Sequence, residues 1–249
     1  MFQSRIKSLQ DSLTDHEIDA LLITSPYNIA YLTGIHAFSI EEREARILVT
    51  KKNIFLFTDA RYTGMAKEMS PFVTLREVKH TTPLSKQLKE IFEKENVEHL
   101  GFEEENITYG EVADLEEKFD AVEFIPTVEI VEDLRTSKDT DEVENIRKAC
   151  ALTDLGFEYI LKLLKPGVTE LEIKVKLESF IRENGGSIAF ESIVAFGKNS
   201  AIPHHLSTDI RLHKSDIILL DFGAKVNGYC SDMTRTVFLG EPDSEHKKI

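Results

Sequence analysis

The sequence predicts an α/β fold made of two domains. The chain has 249 residues, which is more than a typical single domain contains. Helical and strand-like patterns alternate up to about residue 130, and a polar segment without periodicity at 132–141 then separates two regions of different composition. We therefore expect an N-terminal domain over 1–130, a linker over 131–141 and a second domain over 142–249.

The elements of the first domain follow from apolar spacing. Ile6, Leu9 and Leu13 recur at helical intervals, whereas the apolar run at 20–23 suits a buried strand. Pro83 is typical of the first turn of a helix. In chain order we expect a helix through 6–13, a strand at 20–23, a hairpin of 46–50 and 54–57 around the turn 51–53, a strand at 72–78, a helix from 83 to about 94, and strands at 98–103 and 121–125.

The second domain begins with two long helices. Apolar residues at helical spacing from Val143 onward predict the first, which Pro166-Gly167 ends. Thr169 and Glu172 form the pattern of a capping box for the second, which ends at Gly185-Gly186. Strand sequence follows at 188–196 and again at 217–220, where it leads into a hairpin.

The hairpin lies in the stretch DFGAKVNGYCSDMTRT, residues 221–236. Asn227-Gly228 is typical of a type I′ turn, because both residues tolerate positive φ. A two-residue loop there sets Gly223 opposite Asp232, with Asp221 two residues further along the same face; a loop one position earlier sets Asp221 directly opposite Asp232. Both registers put the two carboxylates on one face.

Two carboxylates on an internal hairpin repel each other and lose hydration, and a divalent cation between them removes both penalties. Hard oxygen ligands suit Mn²⁺ or Mg²⁺ and also permit Zn²⁺ or Co²⁺. The simpler interpretation is that Asp221 and Asp232 are exposed, or are ion-pair partners of Arg235 and Lys225. Spacing alone leaves these alternatives open.

Composition limits the partners of the protein. A net charge of −14 and a pI near 5.1 predict that neither nucleic acid nor a membrane surface is a partner. The N-terminal pattern is amphipathic, which indicates neither a signal peptide nor a spanning helix. Cys150 and Cys230 form no disulfide or metal framework, so we expect a cytoplasmic protein.

The hairpin sequence resembles the signature of the peptidase family that includes proline aminopeptidases, proline dipeptidases and methionine aminopeptidases. Two aspartates separated by ten residues match it, as do Gly223, Gly228, Tyr229, Thr234, Arg235 and Thr236. Pro203-His204-His205, with His204 seventeen residues before Asp221, resembles the family's substrate-binding loop. PGVTELEI and LRTSKDTDEVENIRKA also resemble it, while IDALLITSPYNIAYLTG and FTDARYTGMAKE are similar to the N-terminal domain of proline peptidases and creatinase.

The resemblance implies a creatinase-like α/β domain followed by a pita-bread α/β catalytic domain that cleaves peptides before proline. It implies two divalent metal ions, with Mn²⁺ first and Co²⁺ or Zn²⁺ possible. Asp221 would bind one ion and Asp232 both, and water of lowered pKa would attack the carbonyl. His204 would donate a hydrogen bond to the substrate or the tetrahedral intermediate, and Thr234 would orient a carboxylate ligand.

Other residues have weaker claims to a site. His205 is expected to be a solvated loop residue, and Asp59, Arg61 and Tyr62 to make structural contacts within the first domain. His36 lies in a loop that a dimer partner would present to the active site in one interpretation. The resemblance to proline peptidases also implies a homodimer through residues 1 to about 130.

The sequence departs from the family at its C-terminal end. The family takes a further His and two Glu ligands from sequence after the hairpin, whereas residues 240–249 correspond to the start of the family's next helix, so we expect none of these ligands within the 249 residues. Only the first half of the pita-bread domain is therefore expected, in a chain that is inactive alone. Two alternatives to a metallopeptidase stay open: a creatinase-like hydrolase without metal, against which the two aspartates count, and a non-catalytic peptide-binding or protein-binding module.

Overall fold

The structure is a computed structural model that describes residues 2–39 and 41–242. Its helices are α1 Phe2–Asp15, α2 Pro26–Thr33, α3 Thr63–Met69, α4 Leu84–Glu95, α5 Tyr109–Lys118, α6 Ile130–Thr136, α7 Thr140–Leu161 and α8 Glu170–Glu183. Its strands are β1 Ala20–Ile23, β2 Ala45–Thr50, β3 Ile54–Thr58, β4 Thr74–Glu77, β5 His99–Glu103, β6 Glu123–Thr127, β7 Ser187–Ile188, β8 Ile193–Phe196, β9 Ile217–Phe222, β10 Ala224–Val226, β11 Tyr229–Cys230 and β12 Met233–Phe238. Two compact units divide between Ser137 and Lys138.

The first unit is a six-stranded mixed sheet with helices on both faces. The strand order is β4-β3-β2-β1-β5-β6, in which β1–β2 and β2–β3 are antiparallel and the other pairs are parallel. Successive residues of β1 enter different cores: Leu21 and Ile23 pack with residues of α1 and α2, and Ala20 and Leu22 pack with residues of α4. Burial on both faces explains why this strand is a continuous apolar run.

The second unit packs two helices against antiparallel strands. β12, β9 and β8 form one three-stranded sheet in that order, and β11, β10 and β7 form another. α7 and α8 cover one side, where Leu152, Ile173 and Leu177 pack with Leu220 and Phe222. The capping box predicted at Thr169 and Glu172 is confirmed at the start of α8.

Most predicted elements are present, but α2, α3, α5 and α6 were not predicted, and two predicted elements have different bounds. α2 was not predicted, because Ser25-Pro26 has the composition of a turn although Pro26 occupies the first helical turn. The strand expected at 188–196 is divided into β7 and β8, which pair with different strands. The first long helix ends at Leu161, before the predicted end.

The predicted linker is not an irregular segment. Residues 130–136 form α6, whose Ile130 and Val131 are buried in the core of the first unit. Each buried aliphatic side chain contributes roughly 1.5–3 kcal/mol, which is enough to hold a short helix against the unit. Only Ser137, Lys138 and Asp139 separate α6 from α7, and Asp139 caps α7 in a capping box with Glu142. Neither α6 nor the capping box of Asp139 and Glu142 was predicted, because the segment is polar and has no apolar periodicity.

None of the helices within the described ranges combines the length and the apolar character that a membrane span requires.

Candidate metal and substrate site

The turn of the β10–β11 hairpin is the one that Asn227-Gly228 predicts. Both residues have positive φ, 49° and 85°. Val226 pairs with Tyr229 and Lys225 with Cys230, so the loop contains two residues. Of the two registers that the sequence allows, this is the one that sets Gly223 opposite Asp232.

The same register continues into β9 and β12, where Thr234 pairs with Asp221 and Met233 with Phe222. Asp232 is therefore in register with Gly223, two positions from the Asp221–Thr234 pair. Side chains alternate along a strand, and Phe222 and Met233 point into the core with α7 and α8. Asp221, Asp232 and Thr234 consequently belong to the opposite face.

Buried hydroxyl groups fix the hairpin to α7. Ser231 Oγ lies 2.5 Å from Thr153 Oγ1, and the Ala224 N–H donates to both oxygens at 3.0 Å. Tyr229 Oη donates to Glu142 at 2.8 Å. The strands approach so closely at Gly223 that an added Cβ would lie 1.9 Å from the Ser231 carbonyl oxygen. Glycine is therefore required between the two aspartates.

The two carboxylates have different surroundings. Asp232 is exposed. Asp221 is partly buried, and its Oδ1 atom is buried without a hydrogen-bond partner among the described residues. An unpartnered buried acceptor is costly, so this atom fits a cation that is not part of the protein. Asp221 and Asp232 together could hold such an ion, but within the described ranges no three His, Cys, Asp or Glu side chains form a ligand cluster.

The loop between β8 and β9 carries His204, which is exposed. Ser207 Oγ donates to the Val194 carbonyl at 3.0 Å and accepts from the Val194 N–H at 3.1 Å, so the loop is attached to β8. Val194 and the preceding Ile193 pair with Leu220 and Asp221 of β9. The loop that presents His204 is thus anchored one strand away from Asp221.

His205 is not the solvated residue that we expected. Its side chain is buried, and Nε2 lies 2.8 Å from Glu170 Oε2. Glu170 was not predicted as a site residue, because the pattern of Thr169 and Glu172 on either side of it indicates only a capping box. Burial alone would raise the pKa of Glu170, but hydrogen bonds from His205, Asn199 and two backbone N–H groups outweigh it and lower the pKa below its ordinary value.

Two other candidates lie in the first unit. Arg61 and Asp59 form an ion pair at 2.8 Å, and Tyr62 Oη donates to the carboxylate of Glu44, so this group makes structural contacts as predicted. His36 is exposed.

The family models match both units. "Metallopeptidase family M24" matches residues 144–249, and "Creatinase/Prolidase N-terminal domain" matches 5–137. An uncharacterized peptidase of Bacillus subtilis (strain 168), YqhT, is 32% identical over 246 residues, which are 98% of this chain and 68% of that protein. The chain belongs to metallopeptidase family M24.

Other family M24 members agree with this assignment. An Xaa-Pro dipeptidase of Pyrococcus furiosus is 30% identical, with 99% of this chain and 68% of that protein covered. The solved structure of an Xaa-Pro dipeptidase from Bacillus anthracis superposes with a TM-score of 0.91 at 32% identity, covering all of this chain and 68% of that one. The fold is therefore a creatinase-like N-terminal domain followed by the first part of a pita-bread domain.

Proposed function

We propose that this chain provides half of a dinuclear metal site that hydrolyses the peptide bond before proline. The observation that carries the proposal is the buried Oδ1 of Asp221, which has no hydrogen-bond partner among residues 2–39 and 41–242 and lies on the sheet face that also bears Asp232. The Xaa-Pro dipeptidases among the relatives supply the substrate class.

Each residue has a separate role in this proposal. Asp221 and Asp232 would bind two divalent ions, with Mn²⁺ preferred over Co²⁺ or Zn²⁺. Such ions, when bound, polarise a carbonyl group and lower the pKa of water. His204 would donate a hydrogen bond to the oxygen of the substrate carbonyl. Thr234, which pairs with Asp221 across the strands, would orient that carboxylate.

The remaining ligands decide whether the chain acts alone. Two carboxylates leave most of a coordination shell to water, and no cluster of three candidate ligands exists in the described part of the chain. We infer that a His and two Glu ligands must come from other sequence, in cis or in trans, before catalysis begins. The same observation favours the second candidate function, a non-catalytic module that binds peptides.

Calorimetric titration of the purified 249-residue chain with Mn²⁺ tests the metal site. We expect weak binding that Asp221→Asn abolishes, because the exposed oxygen of Asp232 alone offers little affinity. Asp154→Asn, which removes an exposed carboxylate of α7, is the matched control and should bind as the parent does. Equal binding by the parent and by Asp221→Asn would refute the site.

Assay of the same chain with Xaa-Pro peptides separates the candidate functions. We expect no cleavage until a segment carrying the other three ligands is added, and then cleavage that depends on Mn²⁺ or Co²⁺. Cleavage by the chain alone that Asp221→Asn abolishes would show that our inference of an incomplete site is wrong. Peptide binding that persists without metal and without cleavage would establish the non-catalytic module.

A further inference from the structure

Glu170, the first residue of α8, is a fully buried carboxylate, 0% exposed. Oε1 accepts hydrogen bonds from the Phe196 N–H at 2.8 Å and from Asn199 Nδ2 at 2.9 Å. Oε2 lies 2.8 Å from His205 Nε2 and accepts from Thr208 N–H at 2.9 Å and Thr208 Oγ1 at 2.8 Å. Five contacts thus converge on one side chain.

The partners of Glu170 flank His204 on both sides. Phe196 ends β8 and Asn199 lies in the short 3₁₀ helix that follows, while His205 comes directly after His204 and Thr208 three residues later. One carboxylate therefore holds the beginning and the end of the segment 197–207. The Leu171 N–H also donates to the Thr208 carbonyl at 2.9 Å, which joins the end of the segment to α8 by its backbone.

This attachment lies beside the strand that carries Asp221. Ile193 of β8 pairs with Asp221, and Phe196 of the same strand is the residue that Glu170 binds. Because β8 connects the two, the position of the His204 loop relative to Asp221 depends on contacts that Glu170 makes. His204 itself is exposed, so its position depends on how the loop is attached, through Glu170 and through the contacts of Ser207 with Val194.

We propose that Glu170 is the positioning residue of this site: its buried carboxylate fixes the 197–207 loop so that His204 is held beside the metal-binding face of β9. The proposal rests on the role that the proposed function assigns to His204. Charge is essential in this arrangement, because the backbone groups of Phe196 and Thr208 and the Asn199 amide are all donors. A neutral amide would place its own NH₂ group against at least one of them.

Glu170→Gln tests the proposal in the 249-residue chain. The matched control is Glu172→Gln, which changes a carboxylate in the same turn of α8 but keeps the capping box, because glutamine also serves there. We expect hydrogen exchange at the amides of Phe196 and Thr208 to accelerate about tenfold or more in Glu170→Gln, since each loses a charged acceptor. Exchange in β9 and β12 should be unchanged, and the control should match the parent.

A second measurement reports on the position of the His204 ring relative to bound Mn²⁺, and not only on the stability of the loop. Mn²⁺ added to the parent should broaden the NMR signal of the His204 ring more than that of the exposed His213, with Mg²⁺ as the diamagnetic reference. In Glu170→Gln this selective broadening should be reduced. Because loss of a buried carboxylate can unfold the unit, Asn199→Ala removes a single donor and should produce the same change to a smaller extent.

The outcomes distinguish the two proposals. If the parent and Asp221→Asn bind Mn²⁺ equally, the proposed metal site is wrong, and the positioning role falls with it. If Mn²⁺ binds through Asp221 but does not broaden His204 selectively in the parent, the positioning role alone is wrong. If the parent shows the broadening and Glu170→Gln and Asn199→Ala show it equally, only the positioning role is wrong. Unchanged exchange at Phe196 and Thr208 in a folded Glu170→Gln protein would also overturn it.

Discussion

Two carboxylates of the second unit illustrate how surroundings decide the role of a residue. Glu170 is saturated by donors from one loop, whereas Oδ1 of Asp221 is buried without a partner among the described residues. A buried acceptor that lacks a donor costs about 1–3 kcal/mol, and more when it is charged. The first carboxylate therefore stabilises structure, while the second is suited to bind a cation.

The substitution His204→Ala tests the catalytic role that is proposed for His204. In a site completed with the remaining ligands, we expect turnover to fall on the order of 10²-fold, because one hydrogen bond to the developing oxyanion is lost. Mn²⁺ affinity should be unchanged, since His204 is not proposed as a ligand. Steady-state kinetics and calorimetry measure the two effects, and His213→Ala is the control. Unchanged turnover with the metal retained would make His204 an ordinary loop residue.

The lowered pKa of Glu111 predicts that the first unit loses folding stability in acid. Partial burial alone would raise the pKa of Glu111, but the Thr108 N–H, Arg43 and Arg46 outweigh it and lower the pKa from 4.5 to about 2. A pKa that is lower in the folded state contributes stability above pH 4.5 that is lost as the pH falls toward 2. After allowance for solvent screening we expect about 1–2 kcal/mol.

Urea unfolding of Glu111→Gln at pH 7 and pH 3 measures this contribution. The variant should be less stable at pH 7 and should lose less stability than the parent between the two pH values. Glu117→Gln, on the exposed face of the same helix, should behave like the parent. An equal pH dependence in parent and Glu111→Gln would contradict the assignment.

At the scale of elements, the hairpin determines where the aspartates lie. Type I′ geometry at Asn227-Gly228 and the close approach at Gly223 hold a single register from Val226–Tyr229 to Ile217–Phe238. A slip of one strand by one residue would put Asp221 and Asp232 on opposite faces of the sheet. The metal-binding face therefore depends on turn chemistry as much as on the carboxylates.

Gly223→Ala should separate the strands between Asp221 and Asp232. An added Cβ meets backbone, so we expect the second unit to lose about 1–3 kcal/mol of stability and the chain to lose its Mn²⁺ binding. Gly110→Ala is the control, because a Cβ there meets no atom within 4 Å and alanine favours the helix. Thermal melting and calorimetry would contradict the prediction if Gly223→Ala matched the parent in both.

At the scale of the whole molecule, both units have cores of their own. None of the proposed metal ligands lies in the first unit, so this unit is expected to have a role other than binding the metal. A role in assembly is consistent with the resemblance to proline peptidases.

We expect a homodimer through residues 1 to about 130. Light scattering at micromolar concentration should give twice the chain mass of 28.3 kDa for the folded protein. The isolated segment 138–249 should not dimerise under the same conditions if it folds. A monomer at all concentrations would contradict the prediction.

The sequence by itself determined the features that depend on residues close together along the chain. Sequence patterns predicted most strands and the helices α1, α4, α7 and α8, Asn227-Gly228 predicted the turn and its register, and the aspartates spaced around it indicated the family. These signals are local, because a turn or an amphipathic helix is specified within a few residues. Local patterns did not predict α6, because most of its segment is polar and only Ile130 and Val131 are buried.

Only the tertiary structure decided what depends on residues distant in sequence. Glu170 binds His205 across 35 positions, and no local pattern reports a buried carboxylate that collects donors from a loop. The division of 188–196 into two strands was likewise decided by their partners, β10 and β9. Burial and hydrogen-bond satisfaction are properties of the packed chain, so the missing partner of Asp221 Oδ1 became apparent only when its neighbours were in place.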